Sequence, residues 1–93
     1  MTNLTRAMAL DHAADGIRIN AICPGATNTP MLGSGHLTVE ARQASLSRIV
    51  SAIPQGRAAQ PEEIAGLALF LASDASQHIT GTNIPIEGGY TIH

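Results

Sequence analysis

Two short runs rich in β-branched residues stand about 55 residues apart, Ile17-Arg18-Ile19-Asn20-Ala21-Ile22 and residues 79–86. A hairpin joins its strands through a few residues, so this separation points to a crossover and a parallel pair. Parallel strands are covered by helices, and helical sequence fills most of the interval. The order is helix, strand, loop, helix, helix, strand, which is α/β architecture. A two-stranded parallel sheet is rarely stable alone, so the sheet reads as incomplete.

The helices can be read from their apolar spacing. Over residues 2–14, Leu4 and Met8 share one stripe while Ala7, Leu10 and Ala14 share the next, and Gly16 stands where a helix-ending glycine belongs. The strand at 17–22 stops at Pro24-Gly25, which breaks a ladder and starts a loop. A weaker helix over 39–52 carries Val39, Leu46, Ile49, Val50 and Ile53, and Pro54-Gln55-Gly56 ends it. The clearest helix begins at Pro61, with Glu62 and Glu63 at the positive end of its dipole. Across 64–72, Ile64, Leu67, Ala68 and Leu71 make one apolar stripe, and Ala65, Leu69 and Ala72 make a second. A helix apolar on two sides must be covered on two sides, by a sheet and by a second subunit. The strand at 79–86 tolerates Gly81 and Pro85 near an edge or an end.

Composition narrows the function classes. Fifteen of the 41 apolar residues are Ala, and Phe70 and Tyr90 are the only aromatics. Burying a large aliphatic side chain gives roughly 1.5–3 kcal/mol and Ala much less, so these 93 residues suit helices lying close against a larger sheet. The net charge of −2 offers no basic field to nucleic acid or to an anionic membrane. No apolar run approaches the roughly 20 residues of a membrane span, and a cytoplasmic protein is the expectation. The single cysteine, Cys23, reads as a small buried residue, with a place near a ligand as the alternative. Four scattered histidines (His12, His36, His78 and His93) lack ligand spacing, so no metal site is expected, and His12 and His78 read as surface residues. Ser34 and Ser45 have no base at a recognisable spacing.

Six ordered pieces carry a family resemblance. They are Leu4-Thr5-Arg6-Ala7-Met8-Ala9-Leu10, then Gly16 to Ile22 with Pro24-Gly25, then Thr29. After these come Pro54-Gln55-Gly56-Arg57 with Pro61-Glu62-Glu63-Ile64-Ala65, then Thr80-Gly81-Thr82-Asn83, and finally Glu87-Gly88-Gly89-Tyr90. In this order they resemble the C-terminal part of a short-chain dehydrogenase/reductase over nearly the whole sequence. The first resembles the second half of the active-site helix, the second the sixth strand and its Pro-Gly turn, and the last two the final strand and its glycine ending.

The resemblance implies the C-terminal portion of a Rossmann-like doubly wound parallel sheet. Residues 1–93 would form one partial domain, with 26–53 as a substrate-covering loop and helix. It also implies NAD or NADP as cofactor, hydride transfer between a small-molecule alcohol and a ketone, and a homo-oligomer formed through residues 64–72 and 79–86. The expected nicotinamide side comprises Pro24, Gly25, Thr27 and Thr29. The backbone of Thr27 would pair with the carboxamide, and the Thr29 hydroxyl would touch the nicotinamide end. A cofactor role suits the position, since ligands lie beyond the carboxyl ends of the strands in doubly wound sheets. Met31, Leu32 and Leu37 would line an apolar lid that Gly33 and Gly35 allow to move.

Other parts that the resemblance implies are absent. There is no glycine-rich phosphate loop, no Tyr and Lys four residues apart, and no Lys at all. Alignment on Leu4-Thr5-Arg6 puts the family's Lys about three residues before Met1, so the catalytic Ser, Tyr and Lys are expected upstream and none among these residues. The chain alone is therefore expected to be inactive. Two alternatives remain open, a non-catalytic interaction module and a gene remnant without function.

Overall fold

A computed structural model describes residues 2–28 and 38–92. Its elements run α1 (Thr2–His12), β1 (Ala21–Pro24), α2 (Val39–Ser51), α3 (Pro61–Ala72) and β2 (Asn83–Ile86). Single 3-10 turns follow α1 at Ala13–Asp15, α3 at Asp74–Ser76 and β2 at Tyr90–Ile92. The two strands pair with each other. Ala21 N donates to Thr82 O at 2.8 Å and Gly25 N to Ile86 O at 3.1 Å, so numbering rises together on both strands and the pair is parallel. The α/β class is as expected, and the sheet is a partial one.

Both strands are shorter than the sequence suggests. Gly81 N donates to Ile19 O at 2.7 Å, and Ala21 N then bonds to Thr82 O. The pairing thus advances one residue further on the second strand than on the first, which is the mark of a bulge. Gly81 sits at the bulge with φ +76°, a left-handed value that Gly adopts without a Cβ penalty. Side chains replace the interrupted ladder. Asn20 donates to Ile79 O and accepts from Thr82 N, both at 3.1 Å, and Ile19 N donates to Thr80 Oγ1 at 3.1 Å. Pro24, expected to end the ladder, is instead the last residue of β1. Alternate residues donate to β2, and Pro24 falls between the donors Ala21 and Gly25, so its missing N–H removes no bond at that place.

The chain divides into two compact units. The first comprises Met1–Cys23 and Ala65–Pro85. In it Ala9 is buried, and a Cβ built on Gly81 would lie 3.5 Å from the Ala9 Cβ. The Arg18 guanidinium donates to Leu71 O at 2.8 Å, to Ile79 O at 3.1 Å and to Ser73 O at 3.3 Å. A cation therefore rests on the last carbonyls of α3, which favours that helix end. The Oγ of buried Ser76 lies 2.8 Å from Phe70 O and 3.0 Å from Leu71 O, next to the same end. Along α3 the first apolar stripe is half-buried at Ile64, Leu67 and Leu71, whereas Leu69 of the second is 74% exposed. Among the described residues no helix is long and apolar enough to cross a membrane.

The second unit comprises Pro24–Ile64 and Ile86–His93. Thr38 caps α2, accepting from Ala41 N at 3.2 Å, with Glu40 in the first turn and Arg48 in the last, as the dipole prefers. Buried Ile53 follows α2 and packs under the tail. A Cβ on Gly88 would fall 2.6 Å from Ile53 Cγ2, and one on Gly89 would fall 3.3 Å from Pro54. Gln55 N donates to Gly88 O at 3.1 Å, tying the turn after α2 to the glycine pair.

Candidate functional site

The chain leaves β1 at Pro24 and is fixed at once. A Cβ on Gly25 would stand 2.7 Å from the Glu87 Cβ and 3.1 Å from its Cα, so only glycine allows this approach to the tail. The Thr27 hydroxyl donates to Gly25 O at 3.2 Å. Thr27 itself forms an isolated parallel bridge with Ala59. Ala59 N donates to Ala26 O at 2.9 Å and Asn28 N to Ala59 O at 2.7 Å. A bridge of this kind uses groups of the flanking residues and leaves the central residue's own N–H and C=O on the opposite side. Thr27 therefore presents one donor and one acceptor, a pattern complementary to a carboxamide.

Beside this loop lies a cleft of about 590 Å³. Gly25 and Ala26 form one wall, Arg48, Ile49 and Ile53 another, and Tyr90 closes the tail side. Among the described residues two charged ones line it, Arg48 and Glu87. The Glu87 carboxylate is committed to the tail, accepting from Gly89 N at 3.0 Å and from Thr91 N at 2.6 Å.

A surface clamp holds the turn into α3. Arg57 donates to Glu63 through both terminal nitrogens, at 2.9 and 2.8 Å, and Glu63 also accepts from Gln60 N at 2.7 Å. The Arg57 bonds first, and then the Gln60 N–H, hold the Glu63 carboxyl down to about 2. Glu63 thereby caps α3 from its third position, one half of a capping box. The Asn28 amide approaches Gln60 Oε1 at 3.5 Å, so the far end of the Pro-Gly loop meets the start of this helix.

Of the residues singled out from sequence, Pro24, Gly25 and Thr27 stand within four positions at the carboxyl end of β1. Thr29, Met31, Leu32 and Leu37 lie outside the described residues. Cys23 corrects the expectation of a small buried residue: it is exposed, with its sulfur 4.0 Å from Asn83 Oδ1. His78 is exposed and His12 is half-buried. The sequence puts α2 within the expected 26–53 cover but does not single out Arg48. Arg48 and Ile49 lie near the end of a helix whose apolar pattern is weak, and only Ile49 stands two turns from Arg42 along one side.

A family model described as enoyl-(acyl carrier protein) reductase matches residues 1–91. The chain is similar to meso-2,3-butanediol dehydrogenase of Serratia marcescens, at 45% identity over 98% of this chain and 34% of that protein. It is also similar to 3beta-hydroxysteroid dehydrogenase 1 of Eggerthella lenta, at 43% identity over 97% of this chain and 33% of the relative. Among solved structures, a short chain dehydrogenase family protein from Francisella tularensis superposes with a TM-score of 0.85 at 35% identity, over 99% of this chain and 40% of that one. The chain spans about a third of the length of the curated relatives it matches. With the ordered motifs, the parallel pair and these likenesses taken together, the chain belongs to the short-chain dehydrogenase/reductase family.

Proposed function

We propose that these residues form the nicotinamide side of an NAD(P)-dependent oxidoreductase that interconverts an alcohol and a ketone, in a cytoplasmic homo-oligomer. The observation that carries this reading is the Thr27 backbone, which turns a donor and an acceptor away from Ala59 just beyond the end of a parallel strand. Pro24 and Gly25 fix the turn that sets Thr27, and the Thr29 hydroxyl adds a polar contact to the same ligand edge. Bound there, NAD(P) would supply or accept the hydride. Residues 26–53 serve as the substrate cover, with Met31, Leu32 and Leu37 on its apolar wall. Hydride transfer to a carbonyl also needs a proton donor, and the absence of Lys leaves no Tyr/Lys pair among the 93 residues. In this reading the acid–base groups belong to the additional length that the relatives have.

Titrating NADH and NADPH while following backbone amides by NMR tests the cofactor site. Saturable shifts are expected at Thr27 and Asn28, and unmoved amides at millimolar cofactor would remove the reading. The self-association surface is proposed on α3 and β2, because Leu69 and Phe70 are exposed on a helix with two apolar sides. Leu69→Lys is expected to change monomer stability by less than about 0.5 kcal/mol, as an exposed site should. It should lower the oligomeric mass measured by light scattering, and an unchanged mass would exclude this face.

A further inference from the structure

We infer that the cleft beside the Pro-Gly loop selects substrates that carry an oxyanion on an apolar body, and that Arg48 is the residue that recognises the anion. The inference rests on the reading of the Thr27 edge as the nicotinamide side, and it deepens that reading by naming a substrate class.

The cleft is apolar along most of its lining, with Ala26, Ile49 and Ile53 among its walls. Such a surface prefers an aliphatic or alicyclic body and gives little orientation on its own. Orientation must come from the few polar groups, and the charged ones are Arg48 and Glu87. Glu87 is spent on the backbone N–H groups of Gly89 and Thr91. Arg48 stands in a different state. Among the described residues its guanidinium has no hydrogen bond and no carboxylate within ion-pair distance, whereas Arg57 is paired with Glu63 and Arg18 rests on carbonyls.

A second guanidinium supports the assignment. Arg42 lies on the side of α2 that carries Ser45 and Ile49, three and seven residues on, and both of those line the cleft. Arg42 is half-buried, and its Nε is buried without a hydrogen-bond partner among the described residues. Buried polar nitrogens are normally satisfied, so an orphan of this kind marks a place for an acceptor. Arg42 shares its side of α2 with two cleft-lining residues without lining the cleft itself, and Arg48, six residues on and about 120° round the helix, does line it. A guanidinium there offers a donor fork that matches carboxylate and phosphate alike.

The test uses three probes of one shape: cyclohexanecarboxylate, cyclohexyl phosphate and the neutral cyclohexanecarboxamide. Each is titrated into the protein while the methyl resonances of Ala26, Ile49 and Ile53 are followed by NMR, with NADH titrated in parallel and read at the Thr27 amide. At least one anion is expected to bind about tenfold more tightly than the amide, with the preference lost in Arg48→Gln and weakened by salt. Preference for the carboxylate assigns the anion as an organic acid, and preference for the phosphate assigns a phosphate ester. Equal binding of all three probes, or a preference that survives in Arg48→Gln, overturns the inference even if NADH shifts Thr27. An Arg48-dependent anion preference without any NADH response supports the anion site and overturns the cofactor reading instead. Arg48→Lys separates charge from fork geometry, and partial rescue is expected there, since Lys keeps the charge and loses the bidentate contact.

Discussion

Gly25 and Gly16 show two different reasons for a glycine. At Gly16 the backbone is left-handed, with φ +74°, and nothing lies within 4 Å of an added Cβ. At Gly25 the obstacle is the Glu87 Cβ at 2.7 Å and its main chain at 3.1 Å. Gly16→Ala should therefore cost only the conformational penalty, about 1 kcal/mol. Gly25→Ala must displace backbone at the candidate site and should cost about 1–3 kcal/mol. Thermal unfolding followed by circular dichroism would rank the two, and an equal loss would remove the close approach as the explanation. The first reason was legible, since Gly16 stands where a helix-ending glycine belongs, and the second was not. The sequence places Gly25 only in the expected nicotinamide side, and nothing in the order of residues says that Glu87, more than sixty positions later, takes up the space above it.

At the scale of elements, the helices were legible because local chemistry sets them. Pro61 with Glu62 and Glu63 opens α3 at the expected place, and α2 begins at Val39 as expected, with Thr38 as its cap. The strands were less legible, since their extent depends on a partner. Residues 17–20 have strand composition, but Asn20 and Thr80 bond the opposite backbone across a bulge at Gly81. Pro24, Gly25 and Thr27 can be singled out from the order of residues, whereas Arg48 cannot, because its place in the cleft depends on what folds against α2. The start of α3 also gives a pH dependence. In the folded chain Glu63 titrates at about 2, well below the ordinary carboxyl range, so as pH falls the unfolded chain takes up the proton first. The stabilisation from this clamp is complete above the unfolded value of about 4.3, and it is lost as pH falls from there through about 2. Glu63→Gln should flatten that part of the melting-temperature profile, and added salt should blunt the wild-type slope because both partners are exposed. A mutant profile parallel to the wild type would mean that Glu63 is not the group responsible.

Across the whole molecule, the interior is thin. Among the described residues Ala9 and Ile53 are the buried hydrophobic side chains, while Leu4, Leu10, Leu69 and Ile92 are each at least 60% exposed. Apolar surface on this scale normally meets something, and the relatives are about three times as long as this chain. Ile53 then carries an unusual share of the packing in its unit. Ile53→Ala should cost about 2–5 kcal/mol, a large part of what a small domain has. The expected result is loss of a cooperative thermal transition together with increased binding of a hydrophobic dye, and a sharp transition in the mutant would place the stability elsewhere.

The bulged strand pair has a kinetic consequence. Its bonds join residues about 60 positions apart, as in Asn20 with Thr82 and Arg18 with Ile79. Closing a loop of that length costs about 3–4 kcal/mol of chain entropy, before a fixed offset, and the cost falls before the contacts return anything. The helices can form in about a microsecond from local sequence, whereas the strands must wait for a distant search. Until Asn20 finds Ile79 and Thr82, two short strands present unpaired edges. The slow step of folding, and the interval most open to aggregation, should therefore be the capture of this one register.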